Sequence, residues 1–331
     1  MRNFIRAWSV PLCLLGCICF FTEVTRAAEP SLRDKVIEHL ERLHYGPTQP
    51  REAERKRLLA LGTNAVPILI ELVGYKETKL EETYRKTYYE SPEAVRQTMS
   101  RPRDLEGLAR PAAWELLDMP ECKDYLRKLL PLLQDSRSEV RELTARVIAT
   151  HVEAVRKTDR AFPLELVQFL KDNEAGVRRR IINALQFDIT TLPRVKSALE
   201  GMLADKDDAV RNSAALALLL EDKGHAAALV AIRAFFSSTN ESTRINAGLV
   251  YVIKQPNSPV IQSEVLPLFV RSLSSTNESA QTLALSYIRG YAPHFTATVP
   301  EVQKLLAHPS LRVRQEATNT LRGLTNNVPR P

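Results

Sequence analysis

The sequence predicts an all-α protein, a right-handed α-α superhelix of stacked helix pairs. Composition is the first reason. With 44% apolar residues, 26% charged, 6% aromatic and only 11 glycines in 331 residues, the chain suits helices better than a barrel or sandwich. The second is a repeated phrase: "SSTNES" stands at 237–242 and again at 274–279, each time between two apolar runs. The third is the longer period behind it. In six aligned segments one column holds Val140, Val177, Val210, Thr243, Ala280 and Val313, spaced 37, 33, 33, 37 and 33 residues apart. A period in this range marks a helical solenoid.

The chain opens differently. Arg2 and Arg6 precede an apolar run from Ser9 to Phe21, followed by Thr25-Arg26-Ala27-Ala28. This is the layout of a secretory signal peptide over 1–28, with cleavage expected after Ala27 or Ala28. The apolar run is short for a finished membrane span. The sequence therefore predicts an exported protein, periplasmic or secreted, with no transmembrane segment once the signal is removed. Two alternatives are a lipid anchor at Cys17, from the lipobox-like Leu14-Leu15-Gly16-Cys17, and an uncleaved signal. Cleavage would remove Cys13, Cys17 and Cys19 and leave Cys122 alone, so no internal disulfide and no multi-cysteine metal site is expected. It would also remove Arg2, Arg6, Arg26 and Glu23, reducing the net charge from +7 to +5. That surplus is mild, and a nucleic-acid partner is not expected.

Residues 29–75 are read as N-terminal repeat-like helices. "LLALGTNAVPILIELVG" at 58–74 closes one unit and begins the next. Residues 76–104 break the period and are read as an insertion between repeats. Tyr75, Tyr84, Tyr88 and Tyr89 are four of the chain's nine tyrosines. The spacing predicts a helix over 79–90 with Tyr84 and Tyr88 one turn apart, then a short helix from Pro92 that ends by Arg101-Pro102-Arg103. An insertion in a solenoid projects from one face, often the binding face. Tyr and Arg are enriched in binding hot spots. Tyr84, Arg85, Tyr88, Tyr89, Arg101 and Arg103 are accordingly candidate partner-binding residues, with Arg179 on a later unit. The bland alternative is a longer helix pair whose tyrosines pack on the N-terminal unit.

Residues 105–331 are read as an array of about six to seven units, the first second helix being "LARPAAWELL" at 108–117. In each unit apolar residues recur at three- and four-residue steps, as in Leu126, Leu129, Leu130 and Leu133, then Val140, Thr144, Val147 and Ile148. This puts one apolar stripe on each of two helices. Asp, Ser and Asn between them end one helix and cap the next. "SSTNES" is thus read as the interhelix turn of two neighbouring units, where Ser and Asn bond the local backbone. A cationic column follows the Val column: Arg141, Arg178, Arg211, Arg244 and Arg314, with Gln281 in the fifth copy. Asp135, Asp172 and Asp205 stand six positions before three of these arginines. They predict a structural Asp–Arg ladder that ties one turn to the next, in preference to a cationic strip for an acidic partner. Of Arg178-Arg179-Arg180, one is expected in the ladder and two in solvent.

The pattern L-x-D-x-x-x-x-V-R-x-x-A resembles the HEAT-repeat family, in particular its short bacterial repeats, over about 120–324. The resemblance implies a HEAT-like solenoid and regular contacts between units. It implies no single function, because such arrays serve many unrelated tasks. None of the six histidines lies in H-E-x-x-H or has a partner at zinc spacing, and no nucleotide or nucleophile-elbow motif is present. The expectation is a non-catalytic scaffold or adaptor for a protein partner, with no cofactor or metal. Two other readings are a lyase or glycosylase holding a ligand in the superhelix groove, and an envelope module binding glycan or lipid. Trp114 and Glu115 are the only support for the enzyme. A buried, clustered carboxylate beside Trp114 would favour it. Asn240 and Asn277 each begin an N-x-S match that arose by repetition.

Overall fold

The computed structural model describes residues 30–46, 51–156 and 158–326. The expected signal at 1–28, with Cys17, lies outside the described residues. Helices α1 (Leu32–Tyr45), α2 (Arg51–Ala60) and α3 (Val66–Val73) come first. In the insertion are α4 (Lys79–Glu90) and the single turn α5 (Glu93–Arg96), and α6 (Ala109–Asp118) follows. Five further pairs and a last one complete the chain: α7 (Leu126–Leu129) with α8 (Ser138–Arg156), α9 (Phe162–Leu166) with α10 (Ala175–Leu185), and α11 (Pro193–Gly201) with α12 (Asp208–Glu221). Then come α13 (Ala226–Ala234) with α14 (Glu241–Lys254), α15 (Leu266–Leu273) with α16 (Glu278–Gly290), and α17 (Val299–Lys304) with α18 (Leu311–Asn326). Among the described residues there is no strand, and the all-α superhelix expected from the sequence is the fold.

The local rules repeat from unit to unit. Pro67, Pro163, Pro193, Pro267 and Pro300 stand in the opening turns of first helices, where a missing N–H costs nothing. The first helices at 126–134, 162–171, 193–204, 226–237 and 299–307 tighten into a final 3₁₀ turn. They stop at Asp135, Asp172, Asp205, Ser238 and His308, whose backbones share one geometry, φ between −63° and −56° and ψ between 142° and 148°. Both copies of SSTNES use the same serine and asparagine to bond the local backbone. Ser238 Oγ accepts from Asn240 N at 3.2 Å, and Ser275 Oγ accepts from Asn277 N at 3.0 Å. Asn240 and Asn277 then cap α14 and α16 by accepting from Thr243 N at 3.0 Å, and from Ser279 N at 3.0 Å and Ala280 N at 3.3 Å. Each cap satisfies a backbone N–H that the first helical turn leaves without a partner.

One hydrophobic core runs the length of the array, from Val36 to Leu324. The arginine column stitches it. Arg141 donates through Nε and Nη2 to Asp172 of the next unit at 2.8 and 3.1 Å, while its Nη1 reaches Asp135 O at 2.8 Å. Arg178 repeats this with Asp205, at 2.8 and 2.7 Å, and with the carbonyls of Asp172 and Asn173 at 2.8 and 2.9 Å. The guanidinium thus closes the carbonyl end of its own first helix and grips the next turn. Arg211, Arg244 and Arg314 keep the carbonyl half of this arrangement, on Asp205 O, Ser238 O and His308 O. They do not meet a forward aspartate. The column holds Ser238 and Ser275 where Arg211 and Arg244 would look for one, and these arginines turn instead to Asp208 and Glu241 of their own helices. Gln281 reaches Leu273 O at 3.1 Å in the same role, with its own Oε1 buried and without a hydrogen-bond partner. Where the forward pair first fails, the second helices α12 and α14 also make the sparsest contact of any consecutive pair from α6 to α18.

The insertion departs from the end of α3 and returns at the start of α6. These two helices pack on each other as the first and second helices of one unit do elsewhere. Residues 76–104 therefore occupy an interhelix turn and lie inside a unit, where the sequence reading had put them between repeats.

Candidate functional site

The insertion is held by its own local chemistry. Gly74 leaves α3 so close to the next unit that a Cβ there would run into the Leu132 side chain. Thr78 opens α4 with a capping box: its hydroxyl accepts from Glu81 N at 3.2 Å, and Glu81 accepts from Thr78 N at 2.8 Å. Ser91 ends the helix in an extended conformation. The return strand of loop is then tied back. Tyr84 donates its hydroxyl to Ser100 O at 2.7 Å, and Glu77 N donates to Glu106 at 2.9 Å. Arg103 meets Asp34 of α1 at 3.2 Å, and Tyr45 donates to Gly107 O at 3.0 Å.

These ties fasten the insertion but cover little of it. No residue of α4 is buried. Leu80 is 79% exposed and Tyr89 is 55% exposed. The alternative in which the tyrosines pack into the N-terminal unit is therefore not what the structure shows. Between α4 and the loop 102–106 lies a cleft of about 790 Å³, into which Tyr75, Leu80, Tyr84 and Tyr89 all face. A smaller concavity of about 420 Å³ adjoins it and adds Glu41, Tyr45 and Arg101. On the other side of Glu106 a third, of about 740 Å³, runs past Tyr45 to Trp114 and the start of α8.

Of the predicted partner-binding residues, Tyr84, Arg85, Tyr89 and Arg103 line the cleft together, and Arg101 lines the adjoining concavity. Tyr88 lies off that lining and stacks edge-on against Tyr89, ring centres 5.3 Å apart. Arg85 is engaged by Glu77 through two bonds of 2.8 and 2.7 Å. Arg179 is exposed on α10 and belongs to no part of this site. Its neighbour Arg180 corrects the expectation of two solvated arginines. It is half-buried, and burial, followed by repulsion from Arg146 and Arg179, lowers its pKa.

Electrostatics set the character of the cleft. Bonds from Tyr75 and Thr78 hold Glu81 down to about 2, so it is anionic at any physiological pH. Tyr75 in turn is pushed up to about 12, first by burial and then by its bond to Glu81. Glu77 is lowered, chiefly by its bonds from Arg85.

The sequence reading did not find Arg137. It donates to Tyr75 O at 2.6 Å and Gly74 O at 3.0 Å, and pairs with Asp135 at 2.9 Å. The carbonyls of Gly74 and Tyr75 are met from outside their own unit. Arg137 reaches back from the following unit and closes the end of α3. Its signal in the sequence is only a second arginine four residues before Arg141, at an otherwise variable position. Glu115 is buried, but its carboxylate faces His44 at 3.6 Å and Arg55 at 3.4 Å and does not line the Trp114 concavity. It ties α6 to the two N-terminal helices. Half-exposed Trp114 carries the Arg146 guanidinium over its ring at 5.4 Å.

Residues 126–219 match a family model described as HEAT repeats. These units are HEAT repeats. The matched stretch takes in the two complete Arg–Asp rungs of the ladder. No curated protein matches the chain. Among solved structures, an engineered protein is 16% identical and is covered, like this chain, over 88% of its length, with a TM-score of 0.40. YibA of Escherichia coli is 18% identical over 88% of this chain and 95% of its own, with a TM-score of 0.47. A chain from the Kap95p complex with RanGDP is 14% identical over 89% of this chain and 45% of its own, with a TM-score of 0.46. At these identities the likeness concerns the fold alone.

Proposed function

We propose that this chain is an exported, non-catalytic scaffold that binds a protein partner on the surface built by its insertion. The observation that carries the reading is α4. It is a well-capped helix with an apolar and aromatic side, yet it buries no residue of its own. An amphipathic helix normally covers its apolar side. Here Leu80, Tyr84 and Tyr89 are exposed around one cleft, where a partner would gain most from covering them. The basic, apolar and small-residue opening of the sequence supports export. Glu115 bears on the enzyme alternative: its carboxylate meets Arg55 at 3.4 Å and does not line the concavity beside Trp114.

The test is crosslinking capture from the native envelope with the wild-type chain and with Leu80→Asp/Tyr89→Ala. Both substituted side chains are exposed, so circular dichroism should be unchanged. A protein captured by the wild type and lost with the variant is the expected result. A partner retained by the variant would move the site onto the repeats. Capture of no protein by either chain would overturn the scaffold reading.

A further inference from the structure

We propose that the cleft between α4 and the loop 102–106 receives a cationic side chain, a lysine or arginine, from the docked protein. The inference rests on the docking surface proposed above and adds the chemistry of its occupant. The cleft is walled by Tyr75, Tyr84, Tyr89 and Leu80. Two of these hydroxyls are already committed, Tyr84 to Ser100 O and Tyr75 to Glu81. What those residues have left to offer is the ring.

The carboxylates outnumber the cations in effect as well as in count. Glu77, Glu81, Asp104 and Glu106 line the cleft against Arg85 and Arg103. Arg85 is spent on Glu77. Arg103 is drawn outward to Asp34 at 3.2 Å and Glu41 at 4.0 Å, neither of which lines the cleft. Glu106 has Arg137 at 3.7 Å. Glu81 and Asp104 remain. Their bonds are to uncharged donors, Thr78 N, the Thr78 hydroxyl and the Tyr75 hydroxyl for the first and Gly107 N for the second. Among the described residues neither forms an ion pair; the nearby charges are Arg33 for Glu81 and Arg85 for Asp104, each already paired with another carboxylate. Arg101 lines the adjoining concavity, which Asp104 also borders, and makes no ion pair with it among the described residues.

A cation among aromatic rings is attracted by their negative faces, more strongly once water is excluded. Two unpaired carboxylates beside the rings add to that attraction. An apolar side chain in the same place would desolvate Glu81 and Asp104 without compensating them. An acidic one would be repelled.

The experiment titrates the whole chain with a fluorescent peptide, acetyl-Ser-Gly-Leu-Lys-Leu-Gly-Ser-amide, and with its arginine, norleucine and glutamate versions at the central position. The expected result is binding of the lysine and arginine peptides at least about tenfold tighter than the other two. Glu81→Gln with Asp104→Asn should bring the lysine peptide to the norleucine level. Both substitutions keep the oxygen that accepts from Thr78 N and Gly107 N, so the fold is retained. Equal binding of lysine and norleucine peptides overturns the inference, and so does a cation preference that survives the double variant. A preference for glutamate, or no binding of any peptide at millimolar concentration, overturns it as well. If all four peptides bind equally and Leu80→Asp abolishes them together, the docking surface stands and only the cationic occupant falls. Loss of the docking surface itself is read from the native capture experiment.

Discussion

Removing Arg178 tests the ladder where it is most deeply set. The side chain is 4% exposed and that of its partner Asp205 is 8% exposed. Arg178→Leu would remove both guanidinium bonds to Asp205 and both bonds to the carbonyls of Asp172 and Asn173. Asp205 would retain only the N–H of Asp207, at 2.8 Å, to compensate a buried charge. Breaking a buried pair from one side costs about 3–5 kcal/mol. Asp205→Asn removes the stranded charge while keeping an oxygen for Asp207 N. The double variant should therefore be more stable than Arg178→Leu alone, with a coupling of about 0.5–3 kcal/mol. Arg179→Ala, on the adjacent exposed position, should stay within about 0.5 kcal/mol of wild type. The assay is urea unfolding of the whole chain followed by far-ultraviolet circular dichroism. Because stacked repeats interact with their nearest neighbours, the slope with denaturant must be read beside the midpoint. A fall in slope would show that the array has come apart between α10 and α12. If Arg178→Leu costs no more than Arg179→Ala, the ladder is not a structural device.

Three further outcomes follow from the same geometry. Asn240→Ala and Asn277→Ala should each cost about 1 kcal/mol in thermal unfolding, while Asn→Asp at either position should be nearly neutral, since the caps are single accepting oxygens; equal losses for Ala and Asp would remove the caps as the reason for the repeated phrase. Gly248→Ala should destabilise by about 1–3 kcal/mol, because a Cβ there would sit 3.0 Å from Phe269 and 3.2 Å from Val265 in the core, whereas Gly201→Ala, with nothing within 4 Å, should stabilise by about 0.5–1 kcal/mol; the reverse order in a denaturant series would contradict this packing. The bonds from Arg137 hold the Asp135 carboxyl below its ordinary value, so its stabilisation is complete above the unfolded value near ~3.9 and is lost as pH falls through the lower folded one. Arg137→Gln should flatten the pH dependence of stability in acid, and an unchanged slope would show that Arg137 does not hold this charge.

The repeat was legible in the sequence because a solenoid writes its tertiary contacts locally. Each unit packs only on its neighbours, so the apolar stripes, the caps at Asn240 and Asn277 and the arginine column recur at one period. The alignment of Arg178 with Asp205 follows directly from that period. What it did not determine is where the period ends. The same period puts Ser238 opposite Arg211, but nothing in the spacing said that Arg211 would turn back on its own helix, or that α12 and α14 would make so little contact there. The insertion shows the same limit more sharply. Its helix and its tyrosines were readable, because 3.6-residue spacing is a local signal. Its position inside a unit was not, since that depends on α3 and α6 packing across the intervening residues. The role of Arg137 was equally hidden: it answers to two carbonyls more than sixty positions away, and only the folded chain brings them within a hydrogen bond. The same holds for the cleft. Composition counts acids and bases alike, and tertiary structure alone decides that Arg85 is held by Glu77 and Arg103 by Asp34 while Glu81 and Asp104 bond only uncharged donors.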